Sequence, residues 1–124
     1  MVGNDAYLRH RAEIAGILDE RRFPLWWVES QISEGRIALM SNDTAIIGVE
    51  RREYPGGLIE LHGMFAAGDM AGVLELIDQA VEAARLAGCD VASIDSKAGW
   101  SRVLKSRGFV PAKTLIEKDL HYGA

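Results

Sequence analysis

The sequence of 124 residues predicts one α/β domain, spanning residues 1–124, with a mixed, mostly antiparallel sheet flanked by helices in the order ααβββαβαβ. Three observations predict this class. Apolar residues recur at helical spacing in two early segments and one central segment. Three short β-type runs follow one another between turn signals. A later strand–helix–strand unit would place two strands in parallel through a right-handed crossover.

The chain is expected to begin with two helices. The first is predicted over about residues 5 to 22, where Asn4 or Asp5 can cap it, and its apolar stripe comprises Tyr7, Leu8, Ile14, Ala15 and Leu18. Arg21 and Arg22 would then complement the helix dipole in the last turn. Pro24 suits the first turn of a second helix, which runs to about Glu34 and stops at Gly35.

Three strands are predicted to follow the helices. The runs "IALM" and "TAIIGVE" are joined by "SND", a short hairpin signal, and "YPGG" marks a second turn before "LIELHGMF". Consecutive strands with such short connections are expected to pair antiparallel.

The second half begins with a helix over about residues 70 to 87, capped by Asp69 and ended by Gly88, with a buried stripe of Val73, Ile77, Ala80, Val81 and Ala84. "VASID" then predicts a buried strand. "GWSRVLKSRG" predicts a short helix with Trp100, Val103 and Leu104 inward, and "FVPAKTLIEKDL" predicts a final strand or strand pair.

Composition excludes several classes of protein. The chain is 48% hydrophobic and 26% charged, and no apolar run approaches the roughly 20 residues that span a bilayer. One cysteine, Cys89, excludes an internal disulfide and a cysteine-based zinc site and indicates a reducing compartment such as the cytoplasm. A net charge of −4 argues against general affinity for nucleic acid, and no metal-ligand spacing links the three histidines.

Positive charge is concentrated near the end of the chain. Residues 96–116 hold five cations and no acid, namely Lys97, Arg102, Lys105, Arg107 and Lys113. This cluster is either a solvated basic face or an anion site for a coenzyme phosphate, an acidic protein surface or nucleic acid. Asp95 comes just before it, at the end of a strand, where open α/β sheets commonly bind ligands.

The element order, together with "GWSRVLKSRGFVPAKTLIEKDL", resembles the GNAT superfamily of acyl-CoA-dependent N-acyltransferases. The order matches over nearly the whole chain. The match in residues is confined mainly to the short helix followed by "RGFV". The resemblance implies a GNAT-like fold and acetyl-CoA as the donor if the protein is active.

The loop "FAAGDMAG", residues 65–72, departs from the GNAT pattern. In the family this loop carries Arg or Gln, two residues, Gly, one residue and Gly or Ala, and it cradles the coenzyme diphosphate. Only Gly72 matches, because Ala67 and Met70 replace the basic residue and the central Gly. Asp69 adds a negative charge, and two anions about 4 Å apart repel by roughly 1–4 kcal/mol. The loop is therefore interpreted as a capped turn, although Gly68 and Gly72 could still let the backbone approach a ligand.

The resemblance also implies a set of catalytic positions. A Tyr acid would fall on Leu104 and a frequent Asn on Lys97, so neither matches. A base on the strand before the loop would be Glu60 or His62, whose side chains share one face. Such a base needs a raised carboxyl pKa if it is Glu60; the alternative is an ordinary polar strand position. Backbone N–H groups near Met64 and Phe65 would polarise the acyl carbonyl.

Trp26 and Trp27 are adjacent and point about 100° apart on a helix, so both cannot enter one core. They either pack on the sheet or offer a partner or ligand surface, bordering the acceptor groove in the GNAT arrangement. A homodimer is conceivable from the apolar strands and this pair.

Two functions stay open. The missing cradle and Tyr favour a GNAT-fold binding or structural component with no certain cofactor and a protein partner. The degenerate loop with a "GW-R-L" helix is similar to small GNAT-like proteins encoded by tailed bacteriophages, which implies a phage particle or a bacterial cytoplasm. The alternative is an acetyl-CoA-dependent N-acetyltransferase that acts on a small amine or a protein amine.

Overall fold

A computed structural model of the chain describes residues 4–95, 98–112 and 115–121. Its elements are α1 (Asp5–Ile17), α2 (Leu25–Ser33), β1 (Ile37–Ser41), β2 (Ala45–Glu53), β3 (Ile59–Gly68), α3 (Met70–Leu86), β4 (Val91–Ile94) and α4 (Ala98–Lys105). None of the described helices is both long and apolar enough to cross a membrane.

The four strands form one sheet in the order β1-β2-β3-β4. The β1–β2 and β2–β3 pairs are antiparallel, and the β3–β4 pair is parallel. This arrangement confirms the predicted fold class, a mixed and mostly antiparallel sheet flanked by helices.

Each face of the sheet carries its own core, because successive side chains of a strand point to opposite faces. Along β2, Ile46 packs toward α1 and α2, whereas Ala45, Ile47 and Val49 pack toward α3 and α4. The first core is centred on Tyr7, Ile14, Val28, Ile37 and Phe65, and the second on Val73, Leu76, Ile77, Ala80 and Leu104.

β3 has a bulge at its centre that lets it leave β4. Gly48 faces Phe65, but the next residue, Val49, faces Gly63, so Met64 is an extra residue in β3. The β3–β4 ladder ends at the pair Gly63 and Ile94, whereas β3 continues to Gly68. The two parallel strands therefore separate from Met64 onward.

α1 is shorter than predicted. It ends at Ile17, and Leu18 is extended, so the prediction that Arg21 and Arg22 lie in its last turn is wrong. Asp19 explains the early end, because its side chain accepts from the N–H of Arg21 at 3.1 Å and its carbonyl accepts from Phe23 at 2.7 Å. These local bonds compete with the helical ladder.

Two residues of the predicted helix stripes are also exposed. Leu8 is 55% exposed and Val81 is 38% exposed, whereas Ala6 and Leu76 are buried in their helices. α2 agrees with the prediction and ends before Gly35, whose φ of 77° suits a residue without a side chain.

The last predicted strand is not present in the described part of residues 109–121. Pro111 lacks the N–H that a ladder needs, and ion pairs from Arg21 to Asp119 and from Arg22 to Glu117 hold the segment near the turn after α1. Within the described part of the chain, β4 pairs only with β3, so it is an edge strand. Val91 is exposed and the other three residues are half-buried, so the prediction of a buried strand is wrong.

Gly68 should not tolerate a side chain. Its φ is +112°, and a Cβ there would overlap the Thr44 carbonyl and lie 2.5 Å from Ala45 Cα, both backbone atoms that cannot yield. We expect Gly68→Ala to lower the free energy of unfolding by about 2–4 kcal/mol, measured by urea denaturation.

Gly16→Ala is the matched control, because nothing lies within 4 Å of the added Cβ and the residue lies in α1. It should stabilise the protein by up to about 1 kcal/mol. A Gly68→Ala variant as stable as the parent would contradict this account of the β3–α3 junction.

Candidate functional site

A cavity of about 470 Å³ lies where β3 and β4 separate. Its walls come from the end of α1, from β3 and β4, from α3 and α4, and from residues near the chain's end. Apolar side chains supply much of the lining, including Leu61, Met64, Ile94, Trp100 and Phe109. His62, Ser93 and Asp95 lie in the same wall and bring polar groups to it.

His62 is the centre of a polar cluster with Ser93 and Asp95. It faces Ser93 across the parallel ladder, so the two side chains lie on the same face of neighbouring strands. His62 Nδ1 lies 2.7 Å from Ser93 Oγ, and His62 Nε2 lies 3.4 Å from Asp95 Oδ2. The imidazole is buried, whereas the Asp95 side chain is 94% exposed. The three residues therefore connect the sheet interior with solvent.

His62 is suited to accept a proton. Burial lowers its pKa from the ordinary 6.5, and the positive charge of Arg52 lowers it further. The carboxylates of Asp95, Glu60 and Glu50 act in the opposite direction without cancelling the effect. A histidine with a lowered pKa is neutral at pH 7, which is the state a general base requires.

Glu60 shares a face with His62, as predicted, but its pKa moves the wrong way for a base. Burial raises the pKa of its carboxyl, yet hydrogen bonds with Tyr54 and Ser93 and the charges of His62 and Arg52 together bring it below 4.5. Tyr54 Oη donates to Glu60 Oε1 at 2.6 Å. The raised pKa that a Glu60 base needs is therefore not found, and His62 is the better candidate.

Met64 and Phe65 lie at the bulge, in the cavity wall. Met64 has no partner in the β2 register, and the β4 ladder stops one residue before it. Met64 is therefore the residue at which β3 leaves both regular registers. Phe65 is mostly buried, and its ring occupies the space above Gly48, where a Cβ would collide with it.

The start of α3 is closed by two carboxylates. Asp69 caps the helix as predicted, and its Oδ1 accepts from the N–H of Gly72 at 2.6 Å. Glu13, from α1, accepts from the N–H of Gly68 through Oε2 at 3.0 Å. Both backbone groups that the sequence offered to a coenzyme are thus bonded to acidic side chains.

The two glycines have a structural purpose at this junction. A Cβ on Gly72 would overlap Thr44 Oγ1 and lie 3.0 Å from Ala45 Cβ, and Gly68 meets the same hairpin end. Asn42 Nδ2 also donates to the Gly72 carbonyl at 3.0 Å. The backbone approach that these glycines allow is to the β1–β2 hairpin.

The predicted partner or anion residues do not form one patch. Trp26 is 73% exposed on α2, whereas Trp27 is half-buried against Phe23, with ring centroids 5.5 Å apart. Arg102 and Lys105 are exposed on α4, on the other side of the sheet. Lys97 lies outside the described residues.

Sequence reasoning missed Ser93, Tyr54 and Glu13 as members of these networks. Ser93 could have been noticed because a hydroxyl residue at an inward position of "VASID" needs a partner. No sequence signal identifies Glu13, which lies 55 residues from Gly68 and resembles any exposed helix acid.

His62 and Glu60 should make the free energy of unfolding depend on pH in two ranges. A lowered pKa means that the unfolded chain binds the proton more tightly, so stability is lost as pH falls. For His62 the loss should begin below about pH 6.5, and for Glu60 below about pH 4.5. We expect His62→Gln to flatten mainly the first range and Glu60→Gln mainly the second, in urea denaturation at a series of pH values. Each substitution should also change the other range slightly, because the two side chains interact electrostatically. An unchanged pH profile in His62→Gln would contradict the burial of a neutral imidazole.

No protein-family model matches the sequence, and a search of curated proteins finds no match. Solved structures do share the fold. The chain is similar to an acetyltransferase from Trypanosoma brucei, with a TM-score of 0.69, 17% identity and 97% of each chain covered. It is similar to glucosamine-6-phosphate N-acetyltransferase from Arabidopsis thaliana, with a TM-score of 0.66, 10% identity and 96% of this chain and 95% of that chain covered.

A third similar structure is a predicted acetyltransferase from Clostridium acetobutylicum, solved with acetyl-CoA, with a TM-score of 0.63, 12% identity and 92% of this chain and 86% of that chain covered. At these identities the similarity shows the fold alone. The chain has the fold of the GNAT N-acetyltransferases.

Proposed function

We propose that this protein is a binding component built on the GNAT fold, which holds an apolar group in the cavity between β3 and β4 and does not use coenzyme A as a donor. The closed start of α3 supports this proposal. Asp69 and Glu13 accept from the N–H groups of Gly72 and Gly68, where the family resemblance would place a diphosphate.

The negative charge near the start of α3 also disfavours a bound diphosphate. Each carboxylate would repel a phosphate about 4 Å away by roughly 1–4 kcal/mol. Residues 53–84, which include β3 and most of α3, contain no Lys or Arg to offset that repulsion. The residues present therefore do not fit a diphosphate at this position.

The cavity itself keeps the features of a binding site. It is concave and mainly apolar, with a few polar groups in one wall, as small-molecule sites commonly are. Leu104, at the position of the family's acid, is 3% exposed and packs in the core, so it offers no proton there. The cavity is present, but an open phosphate cradle at α3 and a proton donor at position 104 are not. This combination fits binding better than coenzyme-dependent transfer.

A second candidate function is N-acetyl transfer from acetyl-CoA to a small amine or a protein amine. Two observations favour it. His62 is buried with a lowered pKa, so it could accept a proton from an amine. Met64, the extra residue of the bulge, lies in the cavity wall and has no register partner, so its backbone N–H is the candidate donor to an acyl carbonyl.

A protein is the partner that we propose for the binding component. Trp26 offers a large aromatic surface, and aromatic side chains are enriched at binding hot spots. Membership of a bacteriophage particle, location in a cytoplasm and formation of a homodimer stay predictions of the sequence.

Calorimetry with acetyl-CoA tests the proposed function. We expect no measurable binding of micromolar affinity to the parent protein. A Glu13→Gln, Asp69→Asn double variant should gain affinity by about tenfold or more, because both charges are removed while Asn still caps the helix. Glu82→Gln, on α3 but far from its start, removes one charge and the exposed ion pair with Arg85 and should gain no affinity.

Micromolar binding to the parent protein would overturn the proposal and favour the acetyltransferase. His62→Gln and Glu60→Gln would then identify the base, since loss of transfer with retained binding in only one of them assigns the proton to that residue.

A further inference from the structure

We infer that Ser93 is a reactive nucleophile that accepts an acyl group from an activated ester or thioester, with His62 as its base and Asp95 as the group that orients His62. This inference goes beyond the proposed function and rests on a different part of the molecule. It concerns the polar wall of the cavity, not the start of α3.

The three side chains have the order of contacts that nucleophilic catalysis requires. Ser93 Oγ lies 2.7 Å from His62 Nδ1, within the range for a nucleophile and its base. The other ring nitrogen, Nε2, lies 3.4 Å from Asp95 Oδ2. This second contact is loose, but such contacts commonly tighten when a ligand covers the site. Asp95 would hold the proton on Nε2 and leave Nδ1 free to accept from the serine.

Neighbouring charged groups support His62 as the proton acceptor. The Ser93 hydroxyl also contributes to the lowered pKa of the Glu60 carboxyl, so Glu60 competes with His62 for the serine proton. Glu60 is a weak base because its pKa is lowered and Tyr54 already donates to it. An ionised Glu60 beside the ring would also stabilise the positive charge that His62 gains when it takes the proton.

The surroundings of Ser93 suit an acyl group. The cavity residues on the same face of the sheet as Ser93 are apolar and can contact an acyl chain, namely Leu18, Phe23, Met64 and Phe65. Met64, the extra residue of the bulge, lies in that wall without a register partner in β2 or β4, and it carries a backbone N–H. We assign it as the donor to the oxygen that becomes negative during the reaction.

The reaction needs only the acyl donor and one water molecule. Ser93 Oγ attacks the acyl carbonyl carbon, and its proton passes to His62 Nδ1. The bond from that carbon to the leaving sulfur or oxygen breaks, and the leaving group takes the proton from His62. Water then attacks the serine ester and gives its proton to His62, which returns it to Ser93 as the carboxylic acid leaves.

A fluorophosphonate carrying a fluorescent dye tests the inference, because it labels activated serines when the oxygen displaces fluoride. We expect the full-length protein to be labelled and the modified peptide to contain Ser93. Ser93→Ala should abolish labelling, and His62→Gln should slow it by about 100-fold. Ser106→Ala, a serine on the exposed turn after α4, should label like the parent protein.

Two further measurements keep the outcome clear. The labelling rate of the parent protein should rise with pH to a plateau, with its midpoint below 6.5, because the His62 base must be neutral. Asp95→Asn alters an almost fully exposed side chain, so it should fold normally and still slow labelling if Asp95 orients the ring.

No labelling of the parent protein would overturn the inference, as would equal labelling of Ser93→Ala or an Asp95→Asn variant with the parent's rate. The probe contains no coenzyme, so these results are independent of the calorimetry with acetyl-CoA.

Discussion

The hydrogen bond from the N–H of Gly72 to Asp69 determines how α3 begins and what can approach it. The same residues contact the end of the β1–β2 hairpin so closely that a methyl group would not fit at Gly68 or Gly72. Glu13 adds a bond from α1 to the N–H of Gly68. A helix, a hairpin and a strand are therefore joined at one point, which in an open site would attract an anion.

The start of α3 is closely packed, whereas the bulge at Met64 opens a space in the neighbouring part of the sheet. It turns β3 away from β4 after Gly63, and the space between the strands becomes a cavity. Two carboxylates thus bond to the backbone at the start of α3, whereas the strands beside it leave an opening. Substitutions at the start of α3 need not disturb the cavity between β3 and β4, because different residues form the two regions.

Local patterns predicted much of this fold. The three antiparallel strands follow from runs of β-type residues between turns, and the cap at Asp69 follows from its position before an amphipathic helix. α1 was predicted too long because the side chain of Asp19 competes with the ladder, which apolar spacing does not reveal. The final strand or strand pair was predicted over "FVPAKTLIEKDL", and Pro111 opposes a strand there.

The site was less predictable, because it depends on contacts between distant parts of the chain. The face shared by Glu60 and His62 follows from strand alternation, but the contact of His62 with Ser93, 31 residues away, depends on the register of two parallel strands. The direction of the Glu60 pKa depends on the same neighbours. The alternation of residues in the sequence thus located β3. The contacts of β3 with β4 determine which of its side chains could act as a base.

Two ion pairs attach the described residues after α4 to the turn that follows α1. Ion pairs join Arg21 to Asp119 and Arg22 to Glu117, whereas Val110, Ile116 and Leu120 remain exposed. Leu115 of this segment nevertheless lines the cavity. Exposed ion pairs weaken as dissolved salt screens them. Ionic strength is therefore expected to change how closely Leu115 and its neighbours lie against the cavity.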